Sequence, residues 1–349
     1  MKKNLLYFSV LIALAVVTYY AIFDENKPSF DKKEANFTVE NIDEVQTIFL
    51  TDMKGRSIKL DRQPDRWSLN DSLDARQDAI DFMFEALRKQ RPVQKVSSGF
   101  HDAAILELSG NATKVEIYNK KGEKTHAFYV AQNPGYNNAT YMLNEGASRP
   151  FVVDIPPQNL YLGLRYFTDQ TEWKSRRLLY DSSPIESIRV SYKDSVQHSF
   201  DIIMENDKPR LSGQGAPALP VNQKELQKYV EEMNSLFCVG YENKYPQKQE
   251  IIHNGIQLGT IALKRKSGKE YTLNIYFKPA DKRTKYYLQL GKEKYDHDIF
   301  FAWHNEKDFV QVRRKTVQKM AKSFFDFYIT EEAFSRLLNQ PVYKDTFNQ

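Results

Sequence analysis

The feature that most constrains the fold of this chain is an internal repetition at a nearly constant spacing. The runs NIDEVQTIFLTDMK and PIESIRVSYKDS both open with an apolar, an acidic, a variable and an apolar residue. Aligning them places Ile42 on Ile185 and Val45 on Ile188, an offset of 143 residues. A repetition of this kind predicts that one structural unit occurs twice in the chain.

Two amphipathic runs extend the repetition. ARQDAIDFMFEALRKQ and NQKELQKYVEEMNSLF each place three apolar residues on one face of a helix, the second set 146 residues after the first. These residues are Ile80, Phe84 and Leu87 in the first run and Leu226, Val230 and Met233 in the second.

Two hairpin-like runs keep the same offset. TKVEIYNKKGEKTHAFYV and TIALKRKSGKEYTLNIYF alternate apolar and polar residues around a polar turn, and Gly122 of the first turn falls on Gly268 of the second. Farther along, Tyr141 falls on Tyr287. We interpret the repetition as a duplicated domain; chance alignment of two segments of ordinary composition is the alternative.

Each copy reads as two strands, a helix and a further set of strands. Because most successive strands have no helix between them, the sheets are predicted to be antiparallel and the fold class α+β. We place the first copy at residues 41–180 and the second at residues 181–349. Helical runs near the C-terminus are predicted to pack on the second copy, with one apolar face formed by Val317, Met320, Phe324 and Phe327.

The first 23 residues contain the longest apolar run. Leu5 to Phe23 is nineteen residues without a charge, long enough to cross a bilayer as one helix. Lysines precede the run and acidic residues follow it, which predicts an anchor in the cytoplasmic membrane with the bulk of the chain outside the cytoplasm. A cleaved signal peptide is the alternative, since Ala13-Leu14-Ala15 has the small-x-small form, although the apolar run continues past it. Residues 24–40 are polar and aperiodic, which predicts a tether.

Composition and motifs argue against several classes of function. The 50 basic residues are interleaved with 45 acidic ones and the net charge is only +5, which disfavours nucleic acid as a partner. The single cysteine, Cys238, excludes a disulfide framework. We find no catalytic motif and no cofactor-binding glycine loop, so we predict no cofactor and do not favour an enzyme. His297 and His304 could be metal ligands, but residues seven apart on a strand point to opposite faces. We therefore favour the alternative, in which they belong to a solvated polar rim around an apolar strand.

Two segments are candidates for contact with a partner protein. Residues 133–150 are rich in Gly, Asn and Pro, which predicts a long exposed loop that presents tyrosines. Residues 310–322 contain five basic residues and no acidic one, which suits an acidic partner or an anionic surface, with a solvated helix face as the alternative. The candidate contact residues are Tyr136, Tyr141, Arg313, Arg314 and Lys315.

Three stretches carry a family resemblance: an Ile-x-x-Ile/Val strand, a strand that ends in Arg66-Trp67-Ser68-Leu69, and the connecting run WKSRRLLYDSSPIESIRV. In these the chain resembles a bacterial family of membrane-anchored proteins with a domain of unknown function. Genes of that family often accompany ABC-transporter components of the gliding-motility type. The resemblance therefore implies an extracytoplasmic accessory protein and supplies no catalytic residues. The second copy departs from the pattern, with Pro209-Arg210-Leu211 in place of Trp67-Ser68-Leu69.

Three hypotheses of function follow. The first is a membrane-tethered protein that acts by contact with a transport or envelope complex, ABC-transporter subunits among the candidate partners. The second is a module that binds a small molecule or glycan between the two repeats, with Trp173 near the site. The third is an envelope hydrolase, which would need two convergent carboxylates in one pocket.

Overall fold

The computed structural model describes residues 34–156, 160–217, 219–281 and 294–329, together with Ile12 and Thr18. The chain forms two compact units, and the division falls between Ser175 and Arg176. Both units combine a few helices with an antiparallel sheet, which confirms the predicted α+β class.

The first unit is built on a nine-stranded antiparallel sheet with the order β4-β3-β2-β1-β6-β7-β8-β9-β5. Its strands are β1 (Val45–Asp52), β2 (Ser57–Arg62), β3 (Trp67–Leu69), β4 (Leu73–Asp74), β5 (Arg91–Lys95), β6 (Ala112–Asn119), β7 (Lys124–Ala131), β8 (Thr140–Asn144) and β9 (Phe151–Asp154). Its helices are α1 (Gln77–Lys89), α2 (Ser98–Asn111) and the single turn α3 (Gln170–Trp173).

The second unit is built on an eight-stranded antiparallel sheet with the order β12-β11-β10-β14-β15-β16-β17-β13. Its strands are β10 (Ile185–Ser191), β11 (Phe200–Glu205), β12 (Lys208–Gly213), β13 (Gly240–Tyr241), β14 (Gln257–Arg265), β15 (Glu270–Pro279), β16 (Tyr295–His304) and β17 (Asp308–Arg313). Its helices are α4 (Gln223–Glu232), α5 (Lys248–Asn254) and α6 (Arg314–Met320).

The two sheets share one strand order. Strands β2-β1-β6-β7-β8-β9-β5 of the first sheet correspond in position and direction to β11-β10-β14-β15-β16-β17-β13 of the second. Helices α1 and α4 occupy the same place in this order, and so do α2 and α5. The predicted helix faces are buried in both units, at Ile80, Phe84 and Leu87 and at Leu226, Val230 and Met233.

Strand pairing corrects one part of the alignment made from the sequence. Ile48 pairs with Ile117 in the first sheet, and Ile188 pairs with Leu263 in the second. Since Ile117 and Leu263 match each other, Ile188 takes the place of Ile48 and not that of Val45. The alignment of the opening strands was wrong by three residues because an apolar residue recurs every third position from Ile42 to Ile48.

Each sheet buries side chains on both faces. In the first unit the larger core lies under α1, and a smaller core on the other face holds Ala104 and Leu108 of α2. In the second unit α4 covers the larger core, and a smaller core holds Ile251 of α5 with Phe301 and Phe309. Since side chains alternate along a strand, a sheet covered by a helix on each face buries both sets.

The hairpins predicted from the sequence are confirmed as β6–β7 and β14–β15. Gly122 and Gly268 take φ angles of 79° and 84° in the two turns. This left-handed conformation has no steric cost for glycine, whereas a side chain would strain it. The same turn chemistry therefore closes both hairpins.

Gly163 and Gly99 should respond in opposite directions to substitution by alanine. A Cβ at Gly163 would meet the hydroxyl of Tyr161 and lie 2.8 Å from the carbonyl oxygen of Ala131, which Tyr161 uses as its acceptor. We expect Gly163→Ala to lower the free energy of unfolding by about 1–3 kcal/mol. Gly99→Ala, in α2 with open space around it, should raise that free energy by about 0.5–1 kcal/mol. Urea unfolding of both variants measures the two signs, and equal effects would contradict the packing at Gly163.

The predicted membrane span falls outside the described residues, apart from Ile12 and Thr18. Among the described residues, none of the helices has both the length and the apolar character needed to cross a bilayer. The anchor therefore stays a prediction. At the other end, Val317, Met320, Phe324 and Phe327 are buried in the larger core of the second unit, as predicted, and the chain beyond residue 329 lies outside the described part.

Candidate functional site

Residues 133–150 do not form the long exposed loop that their composition predicts. Residues 140–144 are β8, and Tyr141 is only 7% exposed in the smaller core of the first unit. Its ring packs over Gly135, where a side chain would collide with it. Apart from Asn144, which ends this short strand, the Gly, Asn and Pro residues belong to the segments on either side of it. The prediction that Tyr141 contacts a partner is therefore wrong, because its side chain is buried. The side chain of Tyr136 lies outside the described part of the structure.

Arg313, Arg314 and Lys315 form an exposed basic corner where β17 passes directly into α6. Arg313 Nη1 lies 3.6 Å from Asp298 Oδ2, and both side chains are more than half exposed, so this pair contributes little to stability. Val317 and Met320, on the other face of α6, are buried. The basic corner is therefore held on a packed helix, and its contact with a partner stays a prediction.

No group of three or more His, Cys, Asp or Glu side chains among the described residues is arranged to hold a metal ion. Within the run that contains His297 and His304, Asp296 turns inward and pairs with a lysine. Cys238 is buried in the larger core of the second unit.

Lys278 and Asp296 form a buried ion pair beside β15 and β16. The Nζ of Lys278 lies 3.0 Å from Oδ2 of Asp296, and the side chains are 6% and 5% exposed. Burial opposes both charges, yet hydrogen bonds from the backbone N–H groups of Asp298 and Ile299 and from Lys278 hold the pKa of Asp296 below its ordinary value. Burial likewise opposes the charge on Lys278, but its bonds to Asp296 and Asp281 raise its pKa. Both groups stay charged near neutral pH, so the pair is suited to structure rather than to proton transfer.

The N-terminal segment, residues 34–39, is part of the first unit. Phe37 is fully buried, with its ring 6.0 Å from the rings of Phe128 and Phe151 in edge contacts. Val39 is also buried, and the amide Nδ2 of Asn144 donates to the carbonyl oxygen of Glu34 at 2.9 Å. The prediction of a tether over residues 24–40 is therefore wrong for residues 34–39. Polar residues in this part of the run alternate with apolar residues, and the apolar side chains enter the core.

Gln90, at the end of α1, holds the N-terminal segment with two hydrogen bonds and is itself held by a third. Its Nε2 donates to the carbonyl oxygen of Phe37 at 2.6 Å, and its own carbonyl oxygen accepts from Thr38 Oγ1 at 2.7 Å. Its Oε1 accepts from the hydroxyl of Tyr166 at 2.6 Å. Gln90 and Tyr166 are fully buried, and burial raises the pKa of Tyr166 so that its hydroxyl remains a donor. Polar groups in a core need such partners, so the network specifies where the segment docks.

Trp173 belongs to the larger core of the first unit and is fully buried. Its Nε1 donates to the carbonyl oxygen of Phe167 at 2.8 Å, and its ring stacks on that of Phe167 at 4.4 Å. Trp173 is therefore not available to stack on a ligand. The ligand-binding hypothesis loses the aromatic residue that it placed near the site.

A shallow depression of about 360 Å³ lies on the second sheet across β11, β10, β14 and β15. Its polar side chains largely pair with neighbours: Arg189 Nε lies 2.6 Å from Asp201 Oδ1, and Lys264 bonds Glu186 at 2.8 Å. Because these charges are already paired and open to solvent, the depression does not supply the convergent carboxylates that a hydrolase needs.

An exposed apolar surface lies on the first unit and was missed from the sequence. We define the β5–α2 surface by Val93, Phe100 and Leu106, which are 52%, 46% and 74% exposed. Only Ala104 and Leu108 of α2 are buried, and apolar and polar residues are mixed around the circumference of the helix. This mixing is the signal that could have revealed the surface, because an amphipathic surface helix gathers its apolar residues on the side that faces the core.

Comparison of the chain with family models, with curated proteins and with solved structures finds no match.

Proposed function

We propose that this protein is a membrane-tethered accessory protein that works outside the cytoplasm by contact with a transport or envelope complex, with ABC-transporter subunits as the expected partners. In this proposal one N-terminal helix anchors a duplicated α+β domain. The observation that carries the proposal is the docking of the N-terminal segment. It leaves only residues 24–33 between the predicted span and the packed chain, and ten residues reach at most about 33–36 Å.

The shared strand order supports the duplication. Seven strands follow the same order in both sheets, and two connections of each unit carry a helix at the same place. Two unrelated α+β segments have no physical reason to agree in the order of so many strands. Gly122 and Gly268 in equivalent hairpin turns add a local match.

Tethering would act through concentration. A domain held close to the bilayer meets membrane partners at an effective concentration that short linkers place in the millimolar range. Weak contacts then suffice for association. The basic corner is exposed and positioned on a packed helix, so an acidic surface on the partner is the chemistry that it would recognise.

The proposal predicts that the full chain stays with membranes after alkaline carbonate extraction, whereas a chain without residues 1–33 does not. This deletion keeps Glu34 and the N-terminal segment, so the first unit should remain folded. Crosslinking in the native membrane, followed by mass spectrometry, should recover ABC-transporter subunits with the full chain. Extraction of the full chain by carbonate would overturn the anchor.

The basic corner has its own matched control. Reversal of charge at Arg313, Arg314 and Lys315 to glutamate should reduce the crosslinked subunits by about tenfold or more, because rim charges set encounter and register. Reversal at Lys120 and Lys121, which are exposed in the β6–β7 turn, should leave them unchanged. Equal recovery with both variants would show that the partner binds elsewhere.

The ligand-binding hypothesis stays as the alternative. A small molecule or glycan that raises the melting temperature of the full chain in detergent, with no protein recovered by crosslinking, would favour it. The depression on the second sheet would then be the first surface to mutate, through Arg189→Ala.

A further inference from the structure

The β5–α2 surface lies beside the point where the described chain begins. The hydroxyl of Ser148 donates to Glu34 Oε1 at 3.2 Å, which ties the N-terminal segment to the β8–β9 turn. The backbone N–H of Val96, between β5 and α2, donates to the carbonyl oxygen of Pro150 in that same turn. The described chain therefore begins, at Glu34, on the edge of the first unit at which α2 begins.

The edge around this surface is basic. Residues 86–101 contain four basic side chains and no acidic one. Arg91 and Lys95 of β5 and Arg149 of the β8–β9 turn are all exposed. The acidic residues of α2 are Asp102 and Glu107, and Oε1 of Glu107 accepts the backbone N–H of Asn133 at 3.2 Å. Exposed apolar side chains are thus bordered by positive charge at the end nearest Glu34.

We propose that the β5–α2 surface docks on an anionic phospholipid bilayer and so orients the first unit on the membrane. The inference rests on the proposed function, because the anchor supplies the bilayer. Exposed apolar surfaces bordered by polar residues occur at membrane contact sites, and basic residues close to a bilayer meet anionic headgroups. Phe100 and Leu106 supply the apolar contacts, and Arg91, Lys95 and Arg149 supply the positive charges.

Lipid is a better occupant than a protein for two reasons on this surface. A chain of at most ten residues confines this edge of the unit to the neighbourhood of the bilayer, so the surface meets lipid without a further partner. Basic residues at the border of the surface complement anionic headgroups.

The test uses the full chain in nanodiscs of phosphatidylcholine, with or without phosphatidylglycerol. An environment-sensitive fluorophore is attached at Ala103→Cys, which is exposed on α2 between Phe100 and Leu106. The native Cys238 is buried, so labelling is directed to the new thiol. The control label is at Met53→Cys, in the β1–β2 turn at the opposite end of the sheet.

With phosphatidylglycerol present, we expect a blue shift and quenching by bromine-labelled acyl chains at Ala103→Cys and neither at Met53→Cys. Leu106→Glu should abolish the shift. Glutamate at Arg91, Lys95 or Arg149 should lower the ratio of docked to undocked protein by about fivefold for each residue. All four side chains are exposed, so the fold should be retained.

The remaining outcomes separate the two proposals. A chain that enters nanodiscs but gives the same emission at Ala103→Cys in every lipid would overturn the docking and leave the anchor. A shift that needs an added membrane protein would overturn the lipid assignment in favour of a protein partner. A full chain that does not enter nanodiscs would overturn the proposed function and the docking with it.

Discussion

Phe37→Ala should lower the free energy of unfolding of the first unit by about 3–5 kcal/mol, because it empties a fully buried aromatic site. The lost ring makes edge contacts with Phe128 and Phe151. Since small domains are stable by only about 5–15 kcal/mol, this one change removes a large share of that margin. Urea unfolding of the full chain in detergent measures it, with the transition of the first unit followed by hydrogen exchange.

Leu106→Ala is the matched control for Phe37→Ala, because Leu106 is 74% exposed in the same unit. It should change the free energy of unfolding by less than about 0.5 kcal/mol. If both variants unfold at the wild-type urea concentration, the N-terminal segment does not contribute to the core and residues 34–39 belong to the tether after all.

Lys278→Met should lower the free energy of unfolding of the second unit by about 3–5 kcal/mol at neutral pH, since it leaves the carboxylate of Asp296 buried without its lysine. Lys266→Met, which removes an exposed pair with Asp207, is the control and should cost less than about 1 kcal/mol. Adding Asp296→Leu to Lys278→Met should restore part of the stability, because the buried carboxylate is then gone as well. No rescue by the second change would contradict the pair as the cause.

The pH dependence of the pair follows from the directions of its pKa shifts. The pKa of Asp296 is lowered in the folded state, so its contribution is complete above about pH 4 and is lost as the pH falls through the folded pKa. The pKa of Lys278 is raised, so its contribution is complete below about pH 10 and is lost as the pH rises through the folded pKa. The difference between wild type and Lys278→Met should therefore shrink in acid, where protonation of Asp296 neutralises the buried charge.

The sequence predicted correctly the elements that depend on the spacing of residues close together in the chain. The faces of α1 and α4 follow from helical spacing, and the hairpins follow from strand alternation around Gly122 and Gly268. The opening strands were aligned three residues out of register, because a pattern that repeats every third residue fits itself at more than one shift. Only the strand pairing in both units, of Ile48 with Ile117 and of Ile188 with Leu263, resolves that ambiguity.

The residues predicted to contact a partner also divide into those whose exposure the sequence predicts and those whose burial only the structure shows. The exposure of Arg313, Arg314 and Lys315 agrees with their charge, since burying three unpaired cations is costly. Tyr141 was misjudged because turn-forming neighbours say nothing about the strand between them. The β5–α2 surface escaped notice because apolar and polar residues are mixed around α2, so their spacing does not indicate which side of the helix is covered.

By itself, the sequence determined the α+β class, the helix faces, the two hairpins and the absence of a disulfide framework, because each depends on spacing within a few residues or on composition. Tertiary structure alone decided that residues 34–39 enter the first core, that Tyr141 is buried and that Phe100 and Leu106 are not. Burial is set by which distant segments come together, as Gln90 does with Phe37 across 53 residues, and such contacts leave no periodic signal in the chain.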